Sequence, residues 1–423
     1  MKKLWMIIEM IDPTLEFLYG LHNRGIKLGL KNINSFLKVC GNPHKKIKTI
    51  HLAGTNGKGS TSSIIAKILQ KNGYKVGLYT SPHLINFNER IRIDGIPISD
   101  EKIIKFIESH KQTLIDSSIT FFEATTALAF EHFADQKVDI AIVETGLGGR
   151  LDSTNVLTPI QTIITEIHYD HTHILGESIE EITTEKCGIF KDKTPSITVN
   201  SDSRAIKTIK EQALLKNVEV SFIKKENIIV RSQKQKSISF CYKDQEFTLP
   251  QAGSYQAQNA IMAIKTCQNN FNHLTNENIQ LALDQWYWPA RMQIMKNNFF
   301  YDVAHNRNGV EILTKDLKEI YNKKPLGIVV LKNDKINPEL VEMFNQSFEK
   351  LIISTIPSKD ILNKEGIMKN PLLKNFEFVE NLNDALTDVN KIEYEGGKIV
   401  FGSHYIAKEV YNFFDFSFDN GII

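Results

Sequence analysis

The residues most ready for chemistry lie in one stretch, His51-Leu52-Ala53-Gly54-Thr55-Asn56-Gly57-Lys58-Gly59-Ser60-Thr61. An apolar run over 48–53 enters glycines, a lysine and hydroxyls, and a helical pattern follows over 62–72. Glycines let backbone N–H groups approach a phosphate closely. A helix N-terminus favours the anion. Lys58 can reach the β and γ phosphates of a nucleotide, and Ser60 or Thr61 can face its magnesium. The spacing is shorter than the common phosphate-loop pattern, and Gly59 separates Lys58 from the hydroxyls. A glycine-rich surface turn is the plain alternative. Strand, glycines, lysine, hydroxyls and helix in register favour phosphate binding.

Other candidates are weaker when taken singly. Thr80-Ser81-Pro82-His83 follows a strand-like run over 75–79, and a serine there can ligate Mg²⁺, which prefers oxygen. A Ser-Pro turn is the alternative. Glu144 ends the apolar run 138–143 and precedes Gly146-Leu147-Gly148-Gly149. It suits either a metal carboxylate or a solvated loop acid. His171 sits in a histidine-rich segment with His168 and His173, and histidine is not the usual magnesium ligand. By its chemistry alone it is a polar loop residue. Lys186 lies near the end of a helix that Ser178-Ile179-Glu180-Glu181 opens as a capping box and Gly188 closes. An ammonium cannot ligate a cation, so Lys186 on its own is a solvated helix lysine.

These residues need elements to hold them. The apolar runs 48–53, 138–143 and 160–165 suit buried parallel strands. Ligands in open parallel sheets bind beyond the carboxyl ends of the strands, so three distant motifs can meet on one rim. Residues 201–249 are lysine-rich and weakly patterned, which suggests peripheral helix and hairpin. Strand-like runs recur at 299–303, 327–331, 351–355 and 398–401. We expect an α/β protein with a P-loop-containing central parallel sheet domain over 1–288. A smaller Rossmann-like α/β domain should follow over 289–423.

A chain of 423 residues exceeds a single core, consistent with two domains. A net charge of +2 argues against a general nucleic-acid binder. The cysteines, Cys40, Cys187, Cys241 and Cys267, form no CxxC pair and no disulfide framework. Glu9 and Asp12 interrupt the short apolar start, so we expect no signal peptide. No apolar stretch nears the roughly 20 residues that span a bilayer. We expect a cytoplasmic monomer.

Gly54-Thr55-Asn56-Gly57-Lys58-Gly59-Ser60 resembles the phosphate loop of the Mur-ligase superfamily, and its Gly-Ser ending resembles the folylpolyglutamate synthase and dihydrofolate synthase branch. The strings around Ser81, Glu144 and His171 are similar to that branch's metal-site segments, with Thr145 and Tyr169 as mild departures. The likeness extends over 15–411 and is strongest over 51–189. It implies ATP and Mg²⁺ as cofactors, with Thr55, Asn56, Gly57, Lys58, Gly59, Ser60, Asn259, Arg291 and Asp302 at the nucleotide. It implies Ser81, Glu144, His171 and Lys186 around the metal, Lys186 as a carbamate formed with CO₂. Lys58, Lys186, Arg291 and His305 become catalytic candidates. Pro289-Ala290-Arg291 resembles a Pro-Gly-Arg linker, with alanine replacing glycine. Asn333-Asp334-Lys335 and Gly402-Ser403-His404-Tyr405 fill further family positions.

Leu28-Gly29-Leu30, Phe122-Glu123 and Leu151-Asp152-Ser153 resemble segments that hold a pterin, though Phe122 also suits plain core. Lys27 stands where some bifunctional relatives have Asp. The likeness implies joining L-glutamate to dihydropteroate or tetrahydrofolate through an acyl phosphate, with closure across 284–291. Two alternatives stay open: a cell-wall ligase acting on a UDP-sugar, and an ATP-binding regulator without turnover.

Overall fold

The computed structural model describes residues 2–25, 29–332 and 335–417, with side chains from residue 10 onward. Lys27, Leu28, Asn333 and Asp334 fall outside the described residues. The chain divides into two compact units. The first runs to Glu226 and includes Asn259–Ala282; the second holds Asn227–Gln258 and the described chain from Leu283 to Ser417.

The first unit is built on eight strands: β1 (Thr49–Ala53), β2 (Val76–Tyr79), β3 (Ile91–Ile93), β4 (Ile96–Pro97), β5 (Ile140–Glu144), β6 (Gln161–Ile164), β7 (Ser196–Thr198) and β8 (Val220–Phe222). Their order is β4-β3-β2-β5-β1-β6-β7-β8. The pairings from β2 through β8 along that order are parallel, and β3 and β4 form an antiparallel edge. The parallel strands are apolar because helices cover both faces. Ile50, Leu52, Ile142, Val143 and Ile163 have no exposed surface. The helix Lys58–Lys71 buries Ile64, Ile65 and Ile68, and the helix Phe121–Asp135 buries Phe130 and Phe133.

Two boundaries differ from the sequence pattern. The phosphate-loop helix begins at Lys58, not near residue 62. Gly57, at φ 89°, turns the chain directly into the helix, so the lysine itself occupies the first turn. The lysine-rich region 201–249 is only partly peripheral. It supplies the helix Ser203–Leu215, adds β8 to the main sheet, and then forms a separate antiparallel sheet. A helix over Lys2–Gly20 also precedes the motif-bearing part of the chain.

The second unit contains that antiparallel sheet, β9 (Ile228–Lys234), β10 (Ser237–Tyr242) and β11 (Gln245–Leu249). Its main sheet uses β12 (Gln293–Ile294), β13 (Phe299–Asp302), β14 (Leu326–Val329), β15 (Lys350–Thr355), β16 (Glu377–Asn381) and β17 (Lys398–Phe401). The order is β12-β13-β17-β14-β15-β16, parallel except for β12. Its core includes Phe300, Leu313, Leu317, Phe344 and Phe401. The helix Ser254–Asn270 contributes to both units.

Candidate functional site

Strand order explains how the distant motifs meet. β1 pairs with β5 on one side and β6 on the other, with Leu52 opposite Glu144 and Ala53 opposite Ile164. The chain leaves β1 for β2, beyond β5, and later crosses from β5 to β6. This reversal puts three loops at the carboxyl end of β1, where α/β sheets bind ligands.

The phosphate loop is fixed by backbone contacts. Thr55 N and Asn56 N both donate to Glu166 O, at 2.7 and 3.3 Å. Thr55 Oγ1 lies 3.1 Å from both His168 O and His168 N. Asn200 secures the facing segment, donating to Thr165 O and accepting from Ile167 N, both at 2.8 Å. Gly54 and Gly57 have positive φ. A Cβ on Gly54 would meet Thr165, and one on Gly57 would overlap Asn259 Oδ1. Thr61 Oγ1 donates to Asn259 Oδ1 at 3.4 Å, so Asn259 packs onto the loop and the first helical turn. Ser60 and Thr61 are buried.

Lys58, Ser81 and Glu144 come together. Lys58 Nζ donates to Gly54 O at 3.1 Å and Thr55 O at 3.2 Å, and lies 3.9 Å from Glu144 Oε1. Ser81 N donates to Glu144 Oε2 at 3.3 Å. β2 and β5 are parallel neighbours, which brings the Ser81 and Glu144 ends side by side.

Lys186 joins this group from the helix Ile179–Cys187, which Ser178 and Glu181 cap reciprocally, as the sequence motif predicts. Lys186 is buried, and its Nζ donates to Gly54 O at 2.8 Å. Two lysine amines therefore address one carbonyl oxygen. Desolvation, then the charge of Lys58, push Lys186 down to about 7, with Asp170 opposing. Arg150 holds the end of this helix, with its N–H on Glu185 O at 2.7 Å and its guanidinium on the Glu185 carboxylate at 2.8 Å. Gly149 passes so close that a Cβ would lie 2.7 Å from Lys186 O. The double glycine after β5 is thus needed for helix packing.

The other candidates are placed as follows. His171, at φ 49°, caps the short helix Thr172–Leu175; its side chain is 42% exposed and 3.9 Å from Asp170 Oδ1. Phe122 is half-buried beside Tyr79 and covers Gly146, where a Cβ would overlap its ring. Glu123 is committed to a helix cap: Oε2 accepts from Thr120 N at 2.8 Å and Thr120 Oγ1 at 2.9 Å. Asp152 accepts from Gly146 N, Leu147 N and Thr154 N, which shapes the loop after β5. Leu151 is half-buried and Ser153 buried. Gly29 has positive φ, and Leu30 precedes the helix Lys31–Val39. Leu28 is outside the described residues.

The motifs left His51 unremarked, because β-strand histidines carry no spacing signal. Its Nε2 lies 2.8 Å from Thr154 Oγ1, a hydroxyl that itself donates to Asp152 Oδ1. Nε2 therefore donates, and the buried Nδ1 has no partner among the described residues. Burial, then Lys191, push His51 down to about 3 from 6.5. Between these values the unfolded chain binds the extra proton, so stability falls as pH drops below about 6.5. His83 and His132 act in the same direction. We expect His51→Gln to remove a share of the acid-induced loss of unfolding free energy, on the order of a few kcal/mol, read from urea unfolding across pH. An unchanged pH slope would refute this role.

In the second unit, Asp302 is buried at the end of β13 and accepts from Met292 N and Ala304 N, both at 2.7 Å, and from Tyr255 Oη at 3.1 Å. Burial raises its pKa, and Arg291 opposes that rise. His305 Nδ1 donates to Val303 O at 2.9 Å, which orients the ring. Ala290 adopts φ 55°, the left-handed region. That is the position where the sequence resemblance has glycine. Strain of about 1–2 kcal/mol at a left-handed alanine exceeds the roughly 0.4–1 kcal/mol of extra unfolded-state entropy that glycine brings. Ala290→Gly should leave the urea midpoint unchanged or raise it slightly; a loss above about 1 kcal/mol would contradict the strain argument.

Residues 52–267 match the Mur ligase middle domain. The chain is 37% identical over 334 residues to the dihydrofolate synthase/folylpolyglutamate synthase of Bacillus subtilis (strain 168), covering 74% of this chain and 77% of that protein. It is 33% identical to the folylpolyglutamate synthase of Lacticaseibacillus casei over 77% of this chain and 81% of that one. Among solved structures, the folylpolyglutamate synthase of Thermotoga maritima superposes with a TM-score of 0.81 at 33% identity, covering 96% of this chain and 97% of that one. The E. coli enzyme solved with DHPP and ADP gives 0.84 at 27% identity, covering 96% and 97%. The fold and site define a Mur-type, ATP-dependent ligase. The chain belongs to the folylpolyglutamate synthase and dihydrofolate synthase family.

Proposed function

We propose that this chain joins L-glutamate to a folate-type acceptor, dihydropteroate or tetrahydrofolate, at the expense of ATP. The observation that carries the proposal is the cluster at the end of β1: Lys58 stands 3.9 Å from Glu144, and Lys58 and Lys186 share Gly54 O. An acceptor carboxylate oxygen attacks the γ-phosphorus and ADP leaves. The glutamate α-amine then attacks the acyl carbon, and phosphate departs with the carboxylate oxygen. Amide formation in water is uphill, and the acyl phosphate supplies the driving force. Lys58 and the loop N–H groups spread the phosphate charge, so catalysis is positioning and electrostatics.

The donor set fits a nucleotide-bound magnesium. Glu144 offers a carboxylate beside the phosphate loop, and Ser81 sits against it. Ser81, Glu144, His171 and a carbamylated Lys186 would hold the ion, which when bound neutralises phosphate oxygens. A carbamate also resolves the crowding of two lysine amines on one carbonyl. A buried amine near pH 7 has the neutral fraction that reacts with CO₂. We expect ¹³C-bicarbonate to yield a carbamate NMR signal in the native protein and none in Lys186→Met. No signal during active turnover would exclude the modification.

Arg291, Asp302 and His305 are assigned to the phosphoryl and nucleotide groups by resemblance. Phe122, Glu123, Leu151, Asp152, Ser153 and the segment Leu28-Gly29-Leu30 are assigned to the pterin in the same way. We carry a cytoplasmic monomer as part of the proposal; no helix of the described residues is long and apolar enough to cross a membrane. The deciding assay is phosphate release from ATP and L-glutamate with dihydropteroate, with tetrahydrofolate, and with a UDP-sugar peptide. Turnover with a pteroate compound is expected. Turnover only with the UDP-sugar, or with none of the three, would overturn the proposal.

A further inference from the structure

We propose that Cys40, His110 and Glu131 form a separate site for a thiophilic divalent cation of the zinc class. The site would clip three helices of the first unit together. Cys40 Sγ, a ring nitrogen of His110 and a carboxylate oxygen of Glu131 lie within 4.8 Å of one another. Among the described residues, this is the one group of three such side chains so placed. His110 Nε2 and Glu131 Oε2 are 3.1 Å apart. Tetrahedral zinc, with bonds of about 2.0–2.3 Å, sets its ligand atoms roughly 3.5 Å apart. A rotamer adjustment of about 1 Å therefore closes the triangle. Sulfur, imidazole and carboxylate together select zinc over magnesium, which takes oxygen ligands.

The surroundings suit a built site. Each ligand comes from a different, well-anchored helix end or face. Cys40 is the C-cap of the helix Lys31–Val39, His110 lies on Asp100–Asp116, and Glu131 lies on Phe121–Asp135. A helix C-terminus carries partial negative charge, which favours a cation. The His110 ring packs edge-on to Phe36, centroids 5.5 Å apart, and against Phe106 at 4.8 Å. These contacts hold the imidazole in place. All three residues are half-buried, so the ion has a route in and water can take a fourth position. On binding, a metal–sulfur bond replaces the Cys40 S–H bond and the proton leaves to solvent. The site shares no residue with the nucleotide site and stands off Phe122, which is assigned to the pterin. Glu131 lies nine residues beyond Phe122 on one helix, roughly 14 Å along its axis.

The test is a cobalt titration of the full chain in saturating magnesium, which keeps the oxygen-rich nucleotide site filled. A single equivalent of Co²⁺ should give a thiolate-to-cobalt charge-transfer band in the near ultraviolet, displaced by zinc. The band should vanish in Cys40→Ser and survive in Cys241→Ser, whose cysteine lies on β10. His110→Gln, checked for native circular dichroism, should bind cobalt at least about tenfold more weakly. Zinc should raise the thermal midpoint of the native chain by several degrees and that of Cys40→Ser by less. Absence of the band in the native chain would overturn the proposal. So would a band that persists in Cys40→Ser, or unchanged affinity in His110→Gln.

Discussion

Lys58→Ala should lower ATP-dependent phosphate release by about 100- to 1000-fold, the usual effect of removing one preorganised charge donor from a transition state. The residue is placed for that role and for little else. Its ammonium bonds the carbonyls of Gly54 and Thr55 and lies 3.9 Å from Glu144, with its side chain only 16% exposed. The fold should survive, because the lost contacts are two hydrogen bonds to carbonyls and a long ion pair, together about 1–2 kcal/mol. Lys58→Arg should recover little activity. The planar guanidinium cannot fit the space between two loop carbonyls that a compact ammonium fills. Steady-state phosphate release with the preferred pteroate acceptor is the measurement, with circular dichroism as the folding control. Activity within tenfold of the native chain would remove Lys58 from the mechanism.

Gly54→Ala should be nearly as damaging, but by another route. Gly54 sits at φ 156°, and a Cβ built there would lie 2.9 Å from Thr165 Cβ and 3.2 Å from the Thr165 carbonyl carbon. The nearest atom is the Thr165 hydroxyl, a side-chain atom, but Thr165 Cβ and the carbonyl carbon behind it are held at the end of β6, in a layer secured by Asn200, so they cannot yield cheaply. The loop must instead lift away from the sheet. Gly54 O would then move off both Lys58 and Lys186, which disperses the charged groups gathered there. We expect a loss of stability of about 2–3 kcal/mol, as for overpacking a close contact. We also expect nucleotide affinity to fall at least tenfold. Calorimetric titration with ATP and urea unfolding check the two halves separately. Native nucleotide affinity in Gly54→Ala would show that the tight approach to Thr165 does not shape the site.

Some of this was legible along the chain because it is local. A strand, a glycine-rich turn and a helix in succession announce a phosphate loop, since each step depends on residues a few positions away. The capping box at Ser178 and the stop at Gly188 bounded the Lys186 helix for the same reason. Apolar runs marked the central parallel strands of each sheet to within a residue or two, because burial on both faces demands continuous hydrophobicity, while β7, β8 and β16 carried no such mark. Even the start of the Lys58 helix was misplaced only by one turn, since Gly57 begins it without a polar cap to read.

What only the tertiary structure decided is which distant residues meet. Nothing near Glu144 in sequence states that β5 inserts between β1 and β2; that order alone carries its carboxylate to Lys58 and Ser81. Lys186 reads as a solvated cation until packing buries it against Gly54 O. Glu123 and Asp152 resemble pterin-site acids along the chain; only the structure shows that Glu123 Oε2 also serves a helix cap and that Asp152 also accepts from the loop after β5. His51 and the trio of Cys40, His110 and Glu131 have no spacing signal at all. Periodicity is set by contacts within one element and survives in the linear text. Strand order, desolvation and side-chain convergence are set by contacts between elements, and exist only once the chain has closed on itself.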